Sequence, residues 1–149
     1  MSERNLAGFT KFLLDVGYIL ALCALPALPF LLRWAAPQYP SVAEHRVFHL
    51  ILFFLGDLGC IFIIRELRRM FRTVLEDRCF VRENVTSLRR MGYYGLGIAL
   101  VMAVRLAVAF TPATVFIIAV FFLAALFSFV LAGVFHRAVR YKEENDLTI

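Results

Sequence analysis

The sequence predicts an all-α integral membrane protein: a four-helix bundle with a helical extension between its second and third spans. Three observations carry that reading. Hydrophobic residues make up 62% of the 149 positions, against roughly 45–50% in ordinary soluble domains. Four apolar stretches meet or approach the ~17–25 residues that cross a bilayer as helix. Eight of the sixteen Lys and Arg residues are arginines gathered between positions 65 and 92, which leaves the apolar stretches almost free of charge. At this length the chain forms a single domain, residues 1–149.

The first span is expected at 12–32. Arg4 and Lys11 precede it in the manner of a signal peptide, but "FLLDVGYILALCALPALPFLL" exceeds the ~7–15 residues of a cleaved apolar region. Leu22 also stands where a lipoprotein cleavage site needs a small residue, so an uncleaved span is expected. Pro26 and Pro29 should kink its outer half. The loop that follows ends "PSVAEHRVFHL", where Ser41 and Glu44 have capping-box spacing and place the next helix start near Val42.

The second span, 47–64, has no obvious stop. No Gly or Pro falls between Cys60 and Met91, so the helix should leave the bilayer and continue to about Glu76. Leu67, Met70, Phe71, Val74 and Leu75 form one apolar stripe at helical spacing, with Arg65, Arg68, Arg69 and Arg72 on the other faces. "EDRCFVRE" reads as a turn, and Asn84 as the N-cap of a short helix presenting Val85, Leu88 and Met91. Residues 65–92 are therefore expected to form a basic helical hairpin. Its stripe either packs on its own partner helix, leaving the arginines to touch phosphates, or docks a protein.

The third and fourth spans, 93–110 and 113–135, are separated by Thr111-Pro112, with Thr111 expected to cap the helix that Pro112 begins. If the termini and the basic segment share a side, that side holds thirteen of the sixteen Lys and Arg residues, and the other holds only Arg33 and Arg46, with Arg105 inside a span. The positive-inside rule then places both termini and the hairpin in the cytoplasm. The Asn-Val-Thr sequon at residue 84 falls on that side and is discounted. An arginine-rich membrane protein points to anionic headgroups, and no direct nucleic-acid binding is expected.

"CFVRENVTSLRRMG" and the closing "KEENDLTI" together resemble the YoaS-like family of small bacterial membrane proteins, a domain of unknown function. The family pattern of Phe, Asn, Leu and Gly is met by Phe80, Asn84, Leu88 and Gly92. Its acidic tail, closing in Asp-Leu-Thr and an aliphatic residue, is met by Glu144, Asp146, Leu147, Thr148 and Ile149. Members often carry Pro just before the Phe, where this chain has Cys79. The resemblance implies four spans, a frequent genomic association with a small helix-turn-helix regulator and no known catalytic site.

Three charged residues fall within spans, where charge is costly and marks a functional hypothesis. Asp15 lies near the inner end of its span, where interfacial exposure explains it. Asp57 lies ~10 Å deep and Arg105 ~18 Å up from the same side, so they either pair at the limit of an arginine's reach, or Arg105 extends outward, or they serve an ion or proton site. Gly95, Ala99, Ala103 and Ala107 recur at i+4 and allow close helix approach, to a neighbour in the chain or in a second copy.

His49 and His136 sit near opposite ends of their spans, too far apart to ligate one haem iron. Cys23, Cys60 and Cys79 lack metal or disulfide spacing. No HExxH, GxSxG or phosphate-binding Gly-rich loop is present. No cofactor, metal or catalysis is therefore expected. The sequence points to a bacterial inner-membrane anchor or sensor that binds a cytoplasmic partner through Arg65, Arg68, Arg69, Arg72, Phe80, Asn84, Arg89 and the acidic tail. The tail is expected to fold back on the hairpin. The alternative is a small oligomeric transporter or channel subunit that uses Asp57 and Arg105.

Overall fold

The computed structural model describes residues 3–148. Its elements are α1 (Glu3–Ala35), α2 (Pro40–Glu44), α3 (Arg46–Leu75), α4 (Arg82–Val108) and α5 (Pro112–Asp146). No strand occurs among the described residues. All helices except α2 are long and apolar enough to cross a membrane, and the fold is an all-α four-helix bundle. Phe30, Phe110 and Phe116 are each more than 70% exposed. Small residues such as Ala99, Ala125 and Ala132 are buried instead. Large apolar groups outside and small ones at the helix seams suit a bundle whose solvent is lipid.

Packing is sequential: α1 lies on α3, α3 on α4, and α4 on α5, while α1 and α5 do not pack on each other. Glycines set the close seams. A Cβ at Gly59 would stand 2.6 Å from Ile98 Cγ1, and one at Gly95 would stand 3.3 Å from the carbonyl oxygen of Phe121 and 3.2 Å from Ala125 Cβ. Gly95 and Ala99 are thus used against α5 and the bundle interior, whereas Ala103 and Ala107 remain exposed.

α1 runs helically through Pro26 and Pro29, both exposed on its surface. The second spanning helix does not start near Val42. A one-turn helix, α2, ends at Glu44, and the chain leaves helical geometry at His45 (φ −117°, ψ 42°) before α3 begins. The His45 carbonyl accepts both the backbone N–H and the ring Nδ1–H of His49, each at 3.0 Å. The buried imidazole lies at this junction, beyond the start that the capping-box spacing suggested; the Ser41 side chain lies outside what is described.

From Arg46, α3 is unbroken to Leu75. It ends in a Schellman turn, with Arg78 N–H on the Thr73 carbonyl (2.9 Å), Asp77 N–H on the Val74 carbonyl (3.1 Å) and Asp77 at φ 55°. That position favours Gly, and Asp is among the few others that adopt it routinely. The cap of the next helix is Val81, in extended conformation, and not Asn84. The expected short helix is the first part of a continuous α4. At the α4–α5 corner Thr111 is the N-cap and Pro112 the first helical residue, but the threonine hydroxyl makes no capping bond; it is turned toward Arg105.

Candidate functional site

The two ends of the bundle differ sharply. At one end gather the start of α1, the α3–α4 hairpin and the last turns of α5; this is the basic end. Its hairpin is held by buried polar groups. The stripe Leu67, Met70, Phe71, Val74 and Leu75 is only half-buried, and the face of α3 that meets α4 carries Glu66 and Thr73.

Asn84, 1% exposed, donates through Nδ2 to Thr73 Oγ1 (2.7 Å) and to the Cys79 carbonyl (2.8 Å). Its amide closes the turn from inside and so does not cap the helix. One turn toward the membrane, Ser87 Oγ donates to Glu66 Oε2 (2.7 Å), and Arg90 Nη1 reaches Glu66 Oε1 at 3.4 Å. A buried carboxylate needs such partners. At the turn itself, the hydrogen bond from Arg78 holds the Glu76 carboxyl below its usual range.

Between α1, α3 and α4 this end opens into a pocket of about 680 Å³. Three helical stripes build it. Lys11 and Asp15 stand four apart on α1; Arg65, Arg68, Arg69 and Arg72 stand at i, i+3, i+4 and i+7 on α3; Arg90 and Tyr94 stand four apart on α4. Its lining carries six cationic side chains against two carboxylates, Asp15 and Glu66.

Asp15 is more than an interfacial residue. Its Oδ1 accepts Arg68 Nε at 2.5 Å, and the Arg68 guanidinium lies 4.5 Å from the Tyr18 ring centroid. This is a polar joint between α1 and α3. Arg69 stands 3.8 Å from Glu83. Lys11, Arg65 and Arg72 have no ion pair among the described residues. Phe62 and Tyr94, with stacked rings 5.3 Å apart, line the pocket on the side of the spans.

The tail does not fold back on these arginines. α5 continues as helix to Asp146, and Glu143 receives Nε and Nη2 of Arg82 at 2.8 and 2.7 Å. Glu144 is bonded within α5 by Arg140 at 2.8 Å, and Phe80 packs on Phe135 with ring centroids 5.5 Å apart. A rigid helix emerging beside the hairpin leaves the tail carboxylates within reach of Arg82 but not of the pocket. Arg89, Tyr141, Asp146 and Leu147 are exposed. Ile149 lies outside the described residues.

Within the membrane, Asp57 and Arg105 do not pair. Arg105 extends toward the opposite end, where Nη1 donates to Thr111 Oγ1 (3.2 Å) and to Thr114 Oγ1, and its guanidinium lies 5.1 Å from the Phe53 ring centroid. It borders an apolar pocket of about 390 Å³ between α1 and the α4–α5 corner. Asp57 Oδ2 is buried without a hydrogen-bond partner. Among the described residues no group of three His, Cys, Asp or Glu side chains could hold a metal ion.

Glu66, Thr73 and Ser87 belong to no motif that stands out in the sequence, yet they form this buried network. The available signal was spacing: Glu66 and Thr73 stand seven apart on α3, facing Asn84 and Ser87 three apart on α4, so two polar stripes run through an otherwise amphipathic hairpin.

This is a multi-pass membrane protein, a sequentially packed helical bundle with one strongly basic end. The family model for a protein of unknown function, DUF2975, matches residues 30–149. The chain belongs to that family. Neither a curated protein nor a solved structure matches it.

Proposed function

We propose that the protein is a non-enzymatic anchor or sensor of the bacterial inner membrane, with its basic end in the cytoplasm. There the hairpin and the end of α5 form one docking surface for a cytosolic protein. The observation that carries this reading is the apolar surface outside the spans: Phe80, Tyr141 and Leu147 are 47%, 72% and 87% exposed. Leu147 stands one helical turn beyond Glu143, and Phe80 two residues before Arg82, the two partners of a two-point ion pair. Exposed aromatic and aliphatic side chains beside paired charges are the composition of a protein interface. The likeness to YoaS-like proteins makes a small helix-turn-helix regulator the first partner to test.

Photo-crosslinking amino acids placed at Arg89 and at Leu147 should capture the same cytosolic protein in cells, and Phe116, on the lipid-facing wall, should not capture it. Deleting residues 143–149 should leave membrane insertion intact and abolish the Arg89 adduct. Different adducts at the two positions, or an Arg89 adduct that survives the deletion, would refute a joint surface. The reading as a small oligomeric transporter or channel subunit keeps one supporting observation: Asp57 and Arg105 each carry a buried polar atom without a partner. Exposed Ala103 and Ala107 offer a seam to a second copy in that reading.

A further inference from the structure

We infer that the pocket at the basic end is a binding site for a phosphate-bearing dianion held at the membrane surface, in the first place a lipid headgroup with two phosphates. Six cations and two carboxylates line the pocket, and both carboxylates are already engaged, Asp15 by Arg68 and Glu66 by Ser87 and Arg90. Lys11, Arg65 and Arg72 therefore face the cavity with no ion pair among the described residues. Glu76 lies near enough to Lys11 and Arg72 to feel their charge, but its hydrogen bond goes to Arg78. The local balance is left positive by more than one charge, so one monoanion does not neutralise it.

Guanidinium groups are planar donors that match phosphate oxygens two at a time. A pocket of about 680 Å³ lies within the ~300–1,000 Å³ usual for small-molecule sites. Depth selects the source of the phosphates. Lys11 immediately precedes the first apolar stretch, Arg65 immediately follows the second, and Arg90 closely precedes the third. The cations therefore stand at headgroup level, and the stacked Phe62 and Tyr94 rings continue the wall toward the acyl region. Basic pockets between spanning helices at this level receive polyanionic lipid headgroups. A soluble diphosphate offers the same oxygens without the acyl chains.

Lipid binding to the full-length protein, purified in detergent and delipidated, can be read by native mass spectrometry. Cardiolipin should bind about tenfold or more tightly than phosphatidylglycerol, and phosphatidylethanolamine weakest. The double variant Arg65→Gln/Arg72→Gln should lose that preference. Arg137→Gln/Lys142→Gln, with the same loss of charge outside the pocket, should keep it. Because Arg65 and Arg72 hold no ion pair, circular dichroism of the pocket variant should match that of the unaltered protein. Arg65→Lys/Arg72→Lys, which keeps charge without the planar fork, should bind at an intermediate level and serves if the glutamine variant does not fold. Inorganic pyrophosphate distinguishes the sources: competition at equal concentration supports the dianion site and assigns it to a soluble ligand. Equal loss in the pocket and control variants, or no preference for two phosphates over one, would overturn the inference.

Discussion

Arg105 keeps its charge inside the bundle by bonding to the hydroxyls of Thr111 and Thr114 and lying against Phe53, without a carboxylate. Hydrogen bonds to a charged group contribute roughly 1.5–3 kcal/mol each, so Arg105→Gln should destabilise the bundle by about 1–3 kcal/mol. Asp57→Asn replaces an oxygen that has no partner and should cost less. Since the two side chains share no contact, the losses should add within about 0.5 kcal/mol in a double-mutant cycle of detergent melts. A coupling above about 1 kcal/mol would show that they interact. The ~8 Å difference in depth that made pairing strained was already readable from residue spacing. Thr114 was not: as an apolar-run threonine it gives no sign of its use until the α4–α5 corner brings it beneath Arg105. Asn84 teaches the same lesson, because its type and position match a cap, yet a tertiary partner on α3 claims its amide.

The helices themselves were the most legible level, since hydropathy, the Thr111-Pro112 break and the absence of breakers after Cys60 act through the chain's own backbone. The break at His45 was not: no Gly or Pro marks it, and the His45 carbonyl is shared by the backbone N–H and the ring of His49. Among the described residues the tail pairs with the hairpin at Arg82 alone, for a physical reason as well. Charge complementarity said that acidic and basic segments attract, but α5 remains helical and its stiffness allows only Arg82 to meet Glu143. Two glycines of α4 should respond oppositely to an added side chain. At Gly95 an added side chain meets the Phe121 carbonyl and Ala125, whereas Gly97 has nothing within 4 Å. Gly95→Leu should force α4 from α5 and lower the melting temperature by several degrees, as expected for a cost of about 1–3 kcal/mol from overpacking. Gly97→Ala should be neutral or stabilising by up to ~1 kcal/mol through helix propensity. A Gly95→Leu melt unchanged from the parent would mean that α4 and α5 do not meet there.

For the whole molecule the governing feature is the separation of charge along the bundle axis. Packing brings the start of α1, the α3–α4 hairpin and the last turns of α5 to one end, as the Asp15–Arg68 and Arg82–Glu143 pairs require. That end carries the eight hairpin arginines together with Lys11, Arg137, Arg140 and Lys142. The other end has Arg33 and Arg46, with exposed Trp34 and Tyr39 of the kind that settles at a membrane interface. Translocating the basic end would carry a dozen cations across the bilayer against the membrane potential, at about 2.3 kcal/mol per charge per 100 mV; translocating the other end carries two. The expected orientation therefore keeps the basic end inside. Once Cys23, Cys60 and Cys79 are replaced by serine or alanine, a single cysteine introduced as Gln38→Cys should react with a membrane-impermeant maleimide on intact cells. Arg89→Cys, at the exposed face of the hairpin, should react only after the membrane is opened. The loop position serves as the internal control for reagent access, because Gln38 is exposed at the opposite end. Labelling of Arg89→Cys on intact cells, with Gln38→Cys protected, would invert the protein, and the docking surface and phosphate pocket would then face outward.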